Sequence, residues 1–287
     1  MSHDVIVCVH NGHTDVRNCL DSLIRNWGSG TLGRLIVVDD KSDSEMIWLL
    51  GDYARRHDFI DIIRLEEQHY YTKAANRGLN GSSAHIRTLL NSDTVVTPGW
   101  QIQIQEIFAT IPSVGIVGPL SNAASTQSVP FVKSSKDQTA INSLPPEVSI
   151  DAFADFIRQS ANGRITPFVP LVHGFCLTIC SDVFEEIGYF DEEAFPRGYG
   201  EENDFCFRAE DAGFVLAIAI DTFIFHAKSK SYTSEDRTKF MHAGMKNFAA
   251  KHSVDRVKQA VQFMENNPHL QFMRNTVLQR WPNHYIS

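Results

Sequence analysis

The sequence predicts an α/β protein in which a mostly parallel mixed sheet is flanked by helices. The main observation is alternation, because short apolar runs are followed repeatedly by segments whose apolar residues recur at helical spacing. This alternation is typical of a parallel sheet covered on both faces. The composition is that of a soluble globular protein, with 43% hydrophobic and 21% charged residues. A chain of 287 residues is long enough for one large or two modest domains.

The first half of the chain contains five apolar runs of strand length. Between them lie segments with helical periodicity; one begins with a capping-box pattern at Ser42 and Glu45. Another carries Pro98, a residue suited to the first turn of a helix. The predicted strands are residues 4–9, 34–40, 59–65, 85–93 and 114–120, and the predicted helices are residues 14–27, 42–53, 72–84 and 98–110.

The second half is less regular. Residues 121–147 are rich in Ser, Asn, Gln and Pro, and long connections of this kind in α/β domains are often functional. From about residue 234 onward, three helical stretches are expected, the last with an apolar stripe from Leu270 to Trp281. Between these parts the patterns predict helices at 149–161, 181–188 and 201–213, and strands at 167–180, 214–220 and 222–226.

The charge distribution excludes one class of partner and leaves another open. The net charge is −8, but residues 228–287 carry +6 and the rest carries −14. An acidic body argues against nucleic acid, whose phosphates require a basic footprint. The basic segment allows peripheral membrane contact, although a solvated helical face is the simpler interpretation. No transmembrane segment or signal peptide is apparent, and five cysteines without zinc-type spacing indicate a cytosolic protein.

Polar residues follow three of the predicted strands. They are His10-Asn11-Gly12, Asp39-Asp40 and Asn91-Ser92-Asp93. Ligands of open parallel sheets bind beyond the carboxyl ends of the strands, so these groups predict a site on one rim. Glycine-rich dinucleotide and phosphate loops are absent after the first strand, which argues against a Rossmann dehydrogenase or a P-loop enzyme. If phosphates bind here, a metal ion is expected to neutralise them.

Six ordered motifs resemble glycosyltransferase family 2, whose members have the GT-A fold. The resemblance covers roughly residues 4–226, and "GPLSNAAS" (118–125) further resembles bacterial surface-polysaccharide enzymes, including rhamnosyltransferase-like ones. The motifs are "VIVCVHNG", "LIVVDDKSDS", "AANRGLN", "LLNSDTVVTPGW", "HGFCLTICSDVFEEIGYFDE" and "GYGEENDFCFRAEDAGF".

The resemblance implies a nucleotide-diphosphate sugar donor, inversion at the anomeric carbon and a divalent cation, Mn²⁺ or Mg²⁺. Asp93 matches the last Asp of the family's DXD motif, with Asn91 in place of the first. His226 matches the histidine that serves as second metal ligand in many members. Taken alone, Asp93 would serve equally well as a strand cap, and His226 would more often bond a backbone carbonyl. An imidazole ligand favours Mn²⁺ over Ca²⁺.

The same resemblance predicts a donor site. Asp39 matches the residue that accepts a hydrogen bond from the base, which favours a UDP- or dTDP-linked sugar. Cys8 and His10 stand where the family usually has Pro and Tyr. Solvation on a helix surface is an equally good explanation for Lys73. The predicted donor-binding residues are Val9, His10, Asn11, Asp39, Asp40, Lys73, Asn76 and Ser92.

Direct displacement requires a base that accepts the proton of the acceptor hydroxyl. Glu202 matches the base of the family's "GEDxDL" element, with Glu201 and Asp204 as alternatives; all three could instead cap the helix. His173 and Gly174 match the stretch beside the sugar and the acceptor, and a glycine there permits close approach.

These expectations combine into a GT-A catalytic domain over residues 1–227 and a helical extension over residues 228–287. The nucleotide-binding half would span about 1–120 and the acceptor half about 121–227. The chain would transfer a sugar to a saccharide or lipid-linked saccharide in bacterial surface-polysaccharide synthesis, in the cytoplasm or at the inner face of the membrane. Two alternatives remain: a non-catalytic binding module of the same fold, and a sugar-phosphate nucleotidyltransferase.

Overall fold

A seven-stranded mixed sheet forms the centre of the protein. The computed structural model describes residues 1–28, 32–135, 138–228 and 234–286. A separate two-stranded sheet pairs β5 with β9. The strands are β1 (His3–Val9), β2 (Leu32–Asp39), β3 (Ile60–Arg64), β4 (Ile86–Asn91), β5 (Thr94–Val95), β6 (Val114–Leu120), β7 (Cys176–Cys180), β8 (Val215–Phe223) and β9 (Phe225–His226).

The strand order of the large sheet is β3-β2-β1-β4-β7-β6-β8. The pairs β3–β2, β2–β1, β1–β4 and β6–β8 are parallel. Strand β7 runs antiparallel to both of its neighbours, β4 and β6. The sheet is therefore mixed and mostly parallel, as the alternation in the sequence predicts.

Both faces of this sheet are buried, which explains the continuous apolar runs in the sequence. In β1, Val5 and Val7 belong to one hydrophobic cluster and Ile6 to the other. Successive side chains of a strand point to opposite faces, so the two clusters lie on opposite sides of the sheet. The expectation of a sheet covered by helices on both faces is confirmed.

Two helices of the first half, α2 and α4, begin two residues later than predicted. The N-cap of α2 is Asp43, whose carboxylate accepts from the Met46 N–H, and not Ser42 as the capping-box pattern predicts. Helix α4 begins at Trp100, two residues after Pro98. The helices are α1 (His13–Trp27), α2 (Ser44–Arg56), α3 (Tyr70–Asn80), α4 (Trp100–Thr110), α5 (Ile150–Ala161), α6 (Ser181–Ile187) and α7 (Glu201–Asp211).

The long strand predicted for residues 167–180 is wrong in its first part, because only Cys176–Cys180 forms β7. Phe168 makes an isolated bridge to Ala217, and the residues between are irregular. Pro170 lacks the N–H that a central strand would need, which accounts for the shorter strand.

The C-terminal segment forms helices that pack on the rest of the protein. They are α8 (Ser234–Lys251), α9 (Val254–Asn266), α10 (Pro268–Arg280) and the short α11 (Pro282–Tyr285). The stripe predicted from Leu270 to Trp281 is confirmed: Leu270, Met273 and Val277 are buried and Trp281 stacks on Phe153 of α5. Within the described ranges, no helix is long and apolar enough to cross a membrane.

Candidate active site

A cavity of about 600 Å³ opens at the carboxyl ends of β1, β2 and β4. The polar residues that follow these strands form one side of it, as the sequence predicts. Residues from the connection before α7 and from the end of β9 form the other side. The predicted site residues on its wall are Val9, His10, Asn11, Asp40, Ser92, Asp93, His173, Gly174, Glu201, Glu202 and His226.

Asp93 and His226 are brought together by the two-stranded sheet. Thr94 of β5 pairs with His226 of β9, and the Ala227 N–H donates to the Asp93 carbonyl at 2.9 Å. This pairing places the Nε2 atom of His226 3.2 Å from a carboxylate oxygen of Asp93. Two residues 133 positions apart are thus fixed side by side through backbone hydrogen bonds.

The His226 ring is held from several directions. Its Nδ1 lies 2.8 Å from the Ala123 carbonyl, which can only accept, so Nδ1 carries a proton. The Asn122 side chain accepts from the His226 N–H and donates to its carbonyl. The ring of Phe175 stacks on the imidazole at 5.3 Å. In the neutral ring, Nε2 therefore presents its lone pair to Asp93 and the cavity.

The donor atoms of this pair suit a divalent cation. Two ligands at right angles and each about 2.1 Å from such an ion lie about 3.0 Å apart, close to the separation of Nε2 from the Asp93 carboxylate. The hydrogen bond at Nδ1 is the outer support usual for a metal-binding histidine. Among the residues that the structure describes, no group of three His, Cys, Asp or Glu could hold a metal. A cation held by Asp93 and His226 would thus retain coordination positions for a substrate.

Glu201 and Glu202 form a carboxylate pair in the first turn of α7. Each has one buried oxygen without a hydrogen-bond partner among the described residues. Burial, followed by the negative charge of Glu202, raises the pKa of Glu201 well above its ordinary range. Burial also raises the pKa of Glu202, but backbone N–H groups and the positive charge of Lys228 oppose the rise. Two adjacent carboxyls whose pKa values are both raised titrate as a coupled pair, and together they retain a proton more readily than isolated glutamates.

His173 and Gly174 lie beside this pair. The Phe175 N–H donates to Nδ1 of His173 at 3.2 Å, so the proton of the neutral ring is on Nε2. Burial, with smaller effects of Lys228 and His226, lowers the pKa of His173 well below its ordinary value, which keeps the ring neutral. A Cβ at Gly174 would lie 3.3 Å from Cβ and Cγ of Glu202. Because Gly174 has no side chain, the backbone that leads into β7 can approach Glu202, the candidate base, closely.

The donor side of the cavity is held by hydrogen bonds among its own loops. His10 Nδ1 lies 2.8 Å from the Asp40 carbonyl, and the Asp40 carboxylate accepts from the His69 N–H at 2.6 Å. The Asn11 N–H donates to the hydroxyl of Ser42. Val9, at the end of β1, is fully buried behind them. These contacts fix the backbone that faces the cavity.

Three predicted donor-binding residues do not line the cavity. The Asp39 carboxylate is buried, accepts from the Ser42 N–H at 2.8 Å and pairs with Arg64. Lys73 is exposed on the surface of α3.

Asn76, the third, fixes the connection before α7 instead. Its amide donates to the Phe190 carbonyl at 2.8 Å and accepts from the Phe190 N–H at 3.1 Å. It also donates to the Glu192 carboxylate at 2.9 Å. Through these bonds Asn76 holds the segment that leads to the glutamate pair.

Asp204, the second alternative for the base, is directed away from the cavity. Its side chain is fully buried and accepts from Arg208, Lys251 and His252 at 2.8–2.9 Å. Burial alone would raise the pKa of Asp204, but these hydrogen bonds outweigh it and lower the pKa. An ionised, fully paired carboxylate of this kind joins α7 to the end of α8 and is not available as a base.

The structure adds cavity residues that the sequence patterns did not indicate. They include Asp15 of α1, Tyr71 of α3, Arg197 and Tyr199 before α7, and Lys228 after β9. Asn122 and Ala123, which support His226, fall within "GPLSNAAS", so that motif carried a signal for them. No periodicity or spacing marks Arg197 or Lys228, because their position depends on how distant loops meet.

Comparison with known proteins identifies the family. The model of "Glycosyl transferase family 2" matches residues 4–186, more than half of the chain. The low-salt glycan biosynthesis hexosyltransferase Agl10 of Haloferax volcanii is 26% identical over 213 residues, which are 71% of this chain and 60% of that protein. The chain thus spans less than two thirds of this relative, and only 34% of a second curated one.

Two solved structures show the same fold. A mannosyltransferase from Pyrobaculum calidifontis in complex with GDP-Man and Mn²⁺ has a TM-score of 0.62 at 14% identity, covering 98% of this chain and 75% of that one. GalNAc-T7 with UDP, GalNAc and Mn²⁺ has a TM-score of 0.62 at 13% identity, covering 99% and 57%. The GT-A fold expected from the motifs is confirmed. The chain belongs to glycosyl transferase family 2.

Proposed function

We propose that this protein is an inverting, metal-assisted glycosyltransferase that moves one sugar from a nucleotide-diphosphate donor to a saccharide or lipid-linked saccharide. The observation that carries the proposal is one cavity with two chemically distinct groups, the Asp93–His226 pair and the Glu201–Glu202 pair. The first suits a cation that binds a diphosphate. The second suits removal of a proton from an acceptor.

Glu202 is proposed as the general base. In a single displacement, the acceptor hydroxyl oxygen forms a bond to the anomeric carbon while the bond from that carbon to the diphosphate breaks. The hydroxyl proton passes to the Glu202 carboxylate, and the nucleoside diphosphate leaves with the bonding electrons. A carboxyl with a raised pKa is the stronger base at neutral pH, and the carboxylate form is kept accessible by the N-terminus of α7.

Asp93 and His226 are proposed as the protein ligands of Mn²⁺ or Mg²⁺. Such a cation, when bound, stabilises the negative charge that develops on the leaving diphosphate. Asn122, Ala123 and Phe175 would keep His226 oriented for this role. The presence of an imidazole ligand favours Mn²⁺.

The donor would bind across the first half of the chain and the acceptor across the second. This division is supported by the cavity wall, which has His10, Asn11 and Asp40 on one side and His173, Glu202 and Lys228 on the other. UDP- and dTDP-linked sugars remain the first donors to examine. Because the carboxylate expected to contact the base, Asp39, is bonded to Arg64, GDP-linked sugars belong in the same screen.

The biological setting proposed is surface-polysaccharide synthesis in the cytoplasm, at the inner face of the membrane. The basic segment 228–287 supports contact with an anionic surface. A liposome sedimentation assay with anionic and neutral vesicles would test this part separately from catalysis.

The decisive assay incubates the full chain with UDP-, dTDP- and GDP-sugars, with and without Mn²⁺, and identifies the released nucleotide. Release of a nucleoside diphosphate supports glycosyl transfer, including slow transfer to water. A nucleotidyltransferase would instead release pyrophosphate in a parallel incubation of the chain with a nucleoside triphosphate and a sugar 1-phosphate. Donor binding without any release, in the presence of candidate acceptors, would favour a non-catalytic module.

A further inference from the structure

Arg197 stands out among the residues of the cavity. It lies in the connection before α7, its side chain is exposed, and it lines the cavity wall. In the described part of the chain, no carboxylate lies within 4.0 Å of its guanidinium, and the guanidinium donates no hydrogen bond. All five N–H donors of the Arg197 guanidinium are therefore available to a ligand.

Two aromatic rings hold the guanidinium in place. Its central carbon lies 4.5 Å from the centroid of the Tyr70 ring and 4.6 Å from that of Phe240 in α8. The two rings are arranged edge to face, with centroids 6.4 Å apart. The guanidinium therefore sits in an aromatic corner, where cation–π attraction restrains it on two sides without consuming its donors.

The backbone around Arg197 is fixed as well. The Thr72 hydroxyl donates to the Phe195 carbonyl and accepts from the Gly198 N–H at 3.1 Å, so both flanks of Arg197 are tied to α3. Tyr70, which forms one wall of the corner, has φ 62°, a left-handed conformation unusual for an aromatic residue. Backbone strain of this kind is commonly retained where it positions a functional group.

We propose that Arg197 binds an anionic group, phosphate or carboxylate, on the acceptor. This inference rests on the proposed function, because it assigns a specificity residue within the same site. A fixed guanidinium edge matches the geometry of both anions. The cavity wall also carries five acidic side chains, which would repel an anionic acceptor if no cation were fixed nearby: Asp15, Asp40, Asp93, Glu201 and Glu202.

The position of Arg197 favours the acceptor over the donor. The next residue, Gly198, lies so close to Glu201 that a Cβ there would be 3.6 Å from both of its carboxylate oxygens. Arg197 is thus next to the glutamate pair, where the acceptor hydroxyl must lose its proton. The diphosphate of the donor has a different source of positive charge in the cation proposed at Asp93 and His226.

The test measures binding of three sugars to the full chain by calorimetry. Methyl glucuronide carries a carboxylate, glucose 1-phosphate carries a phosphate, and methyl glucoside is neutral. Each is titrated with and without Mn²⁺ and the nucleoside diphosphate found in the donor screen. We expect at least one anionic sugar to bind roughly tenfold more tightly than the neutral one, and the better of the two identifies the group.

Substitutions then connect this preference to Arg197. Arg197→Gln should remove the preference and leave nucleotide affinity within about twofold, whereas Arg197→Lys should retain part of it as a point charge. The matched control is Arg77→Gln, which replaces an exposed arginine on α3. It should change neither the preference for the anionic sugar nor the nucleotide affinity.

Three outcomes would overturn the inference. They are equal binding of charged and neutral sugars by the wild type, a preference that persists in Arg197→Gln, and loss of nucleotide affinity in that variant, which would make Arg197 a donor residue. Failure of the wild type to bind any nucleotide would instead contradict the proposed function. The titrations without nucleotide still measure the role of Arg197 in that case.

Discussion

Three acidic residues in one helical turn have opposite environments. Asp204 is fully buried and paired with Arg208, Lys251 and His252. Glu201 and Glu202 face the cavity, and each has a buried oxygen without a partner among the described residues. Accordingly, the pKa of Asp204 is lowered by its partners despite burial, whereas burial raises the pKa of both glutamates.

The difference separates a structural carboxylate from chemically available ones. A buried charge that is fully hydrogen-bonded stabilises the packing of the elements it joins, here α7 and α8. A buried carboxyl oxygen that lacks a hydrogen-bond partner lowers stability and must be retained for another reason.

The largest effect is expected for Glu202→Gln. This variant should lower kcat by about 10²–10⁴-fold, because the amide cannot accept the acceptor proton. Nucleotide affinity should be unchanged, which calorimetry on the same sample checks. Turnover close to the wild-type value would move the base to Glu201.

Asp204→Ala is expected to act on stability first. Removal of the carboxylate leaves Arg208, Lys251 and His252 without their counter-charge, and we expect a loss of about 3 kcal/mol in the free energy of unfolding, measured with urea. The control is Asp211→Ala, which breaks an exposed ion pair with Arg256 and should lose less than about 1 kcal/mol. Similar losses in both variants would contradict the structural role of Asp204.

Gly244→Ala tests the contact between α8 and the connection that precedes the glutamate pair. A Cβ at this position would lie 1.9 Å from the Tyr199 carbonyl oxygen, so we expect destabilisation by about 1–3 kcal/mol. Gly51→Ala in α2 is the matched control, because its Cβ would meet nothing within 4 Å. That variant should be more stable than the wild type by about 0.5–1 kcal/mol, and equal effects in the two helices would disprove the close contact.

The smallest expected effect is on the pH dependence of the free energy of unfolding, to which Asp204 and Glu201 contribute with opposite signs. The folded-state pKa of Asp204 lies below its unfolded value, so its stabilisation is present above the unfolded pKa and is lost as pH falls through the folded pKa. The folded-state pKa of Glu201 lies above its unfolded value, so stability is lost as pH rises between the two.

Urea unfolding from pH 3 to pH 8 would measure both trends. The stability of Glu201→Gln relative to the wild type should increase as pH rises. The stability that Asp204→Asn loses relative to the wild type should be smallest at the acidic end of the range. Parallel curves for the wild type and both variants would mean that neither carboxyl has a shifted pKa.

The sequence predicts the sheet, the covering helices and most of the cavity wall, because apolar periodicity and strand ends are local signals. Asp39 and Asp40 show the limit of this approach, since adjacent residues point in different directions and only Asp40 lines the cavity. The pairing of Asp93 with His226 was expected from the family resemblance alone, because it depends on two strands of two residues each, which are too short for apolar periodicity to reveal. Arg197 was missed because its environment is formed by Tyr70 and Phe240, which are distant in the chain.

Asp93 and His226 are proposed to bind a cation that receives the diphosphate of a nucleotide sugar. The most direct test of this proposal is a calorimetric titration of UDP and GDP into the wild type and Asp93→Asn, with and without Mn²⁺. We predict that one nucleotide binds the wild type only with Mn²⁺ and fails to bind Asp93→Asn under either condition. Equal nucleotide affinity with and without Mn²⁺, or in the variant, would contradict the metal site.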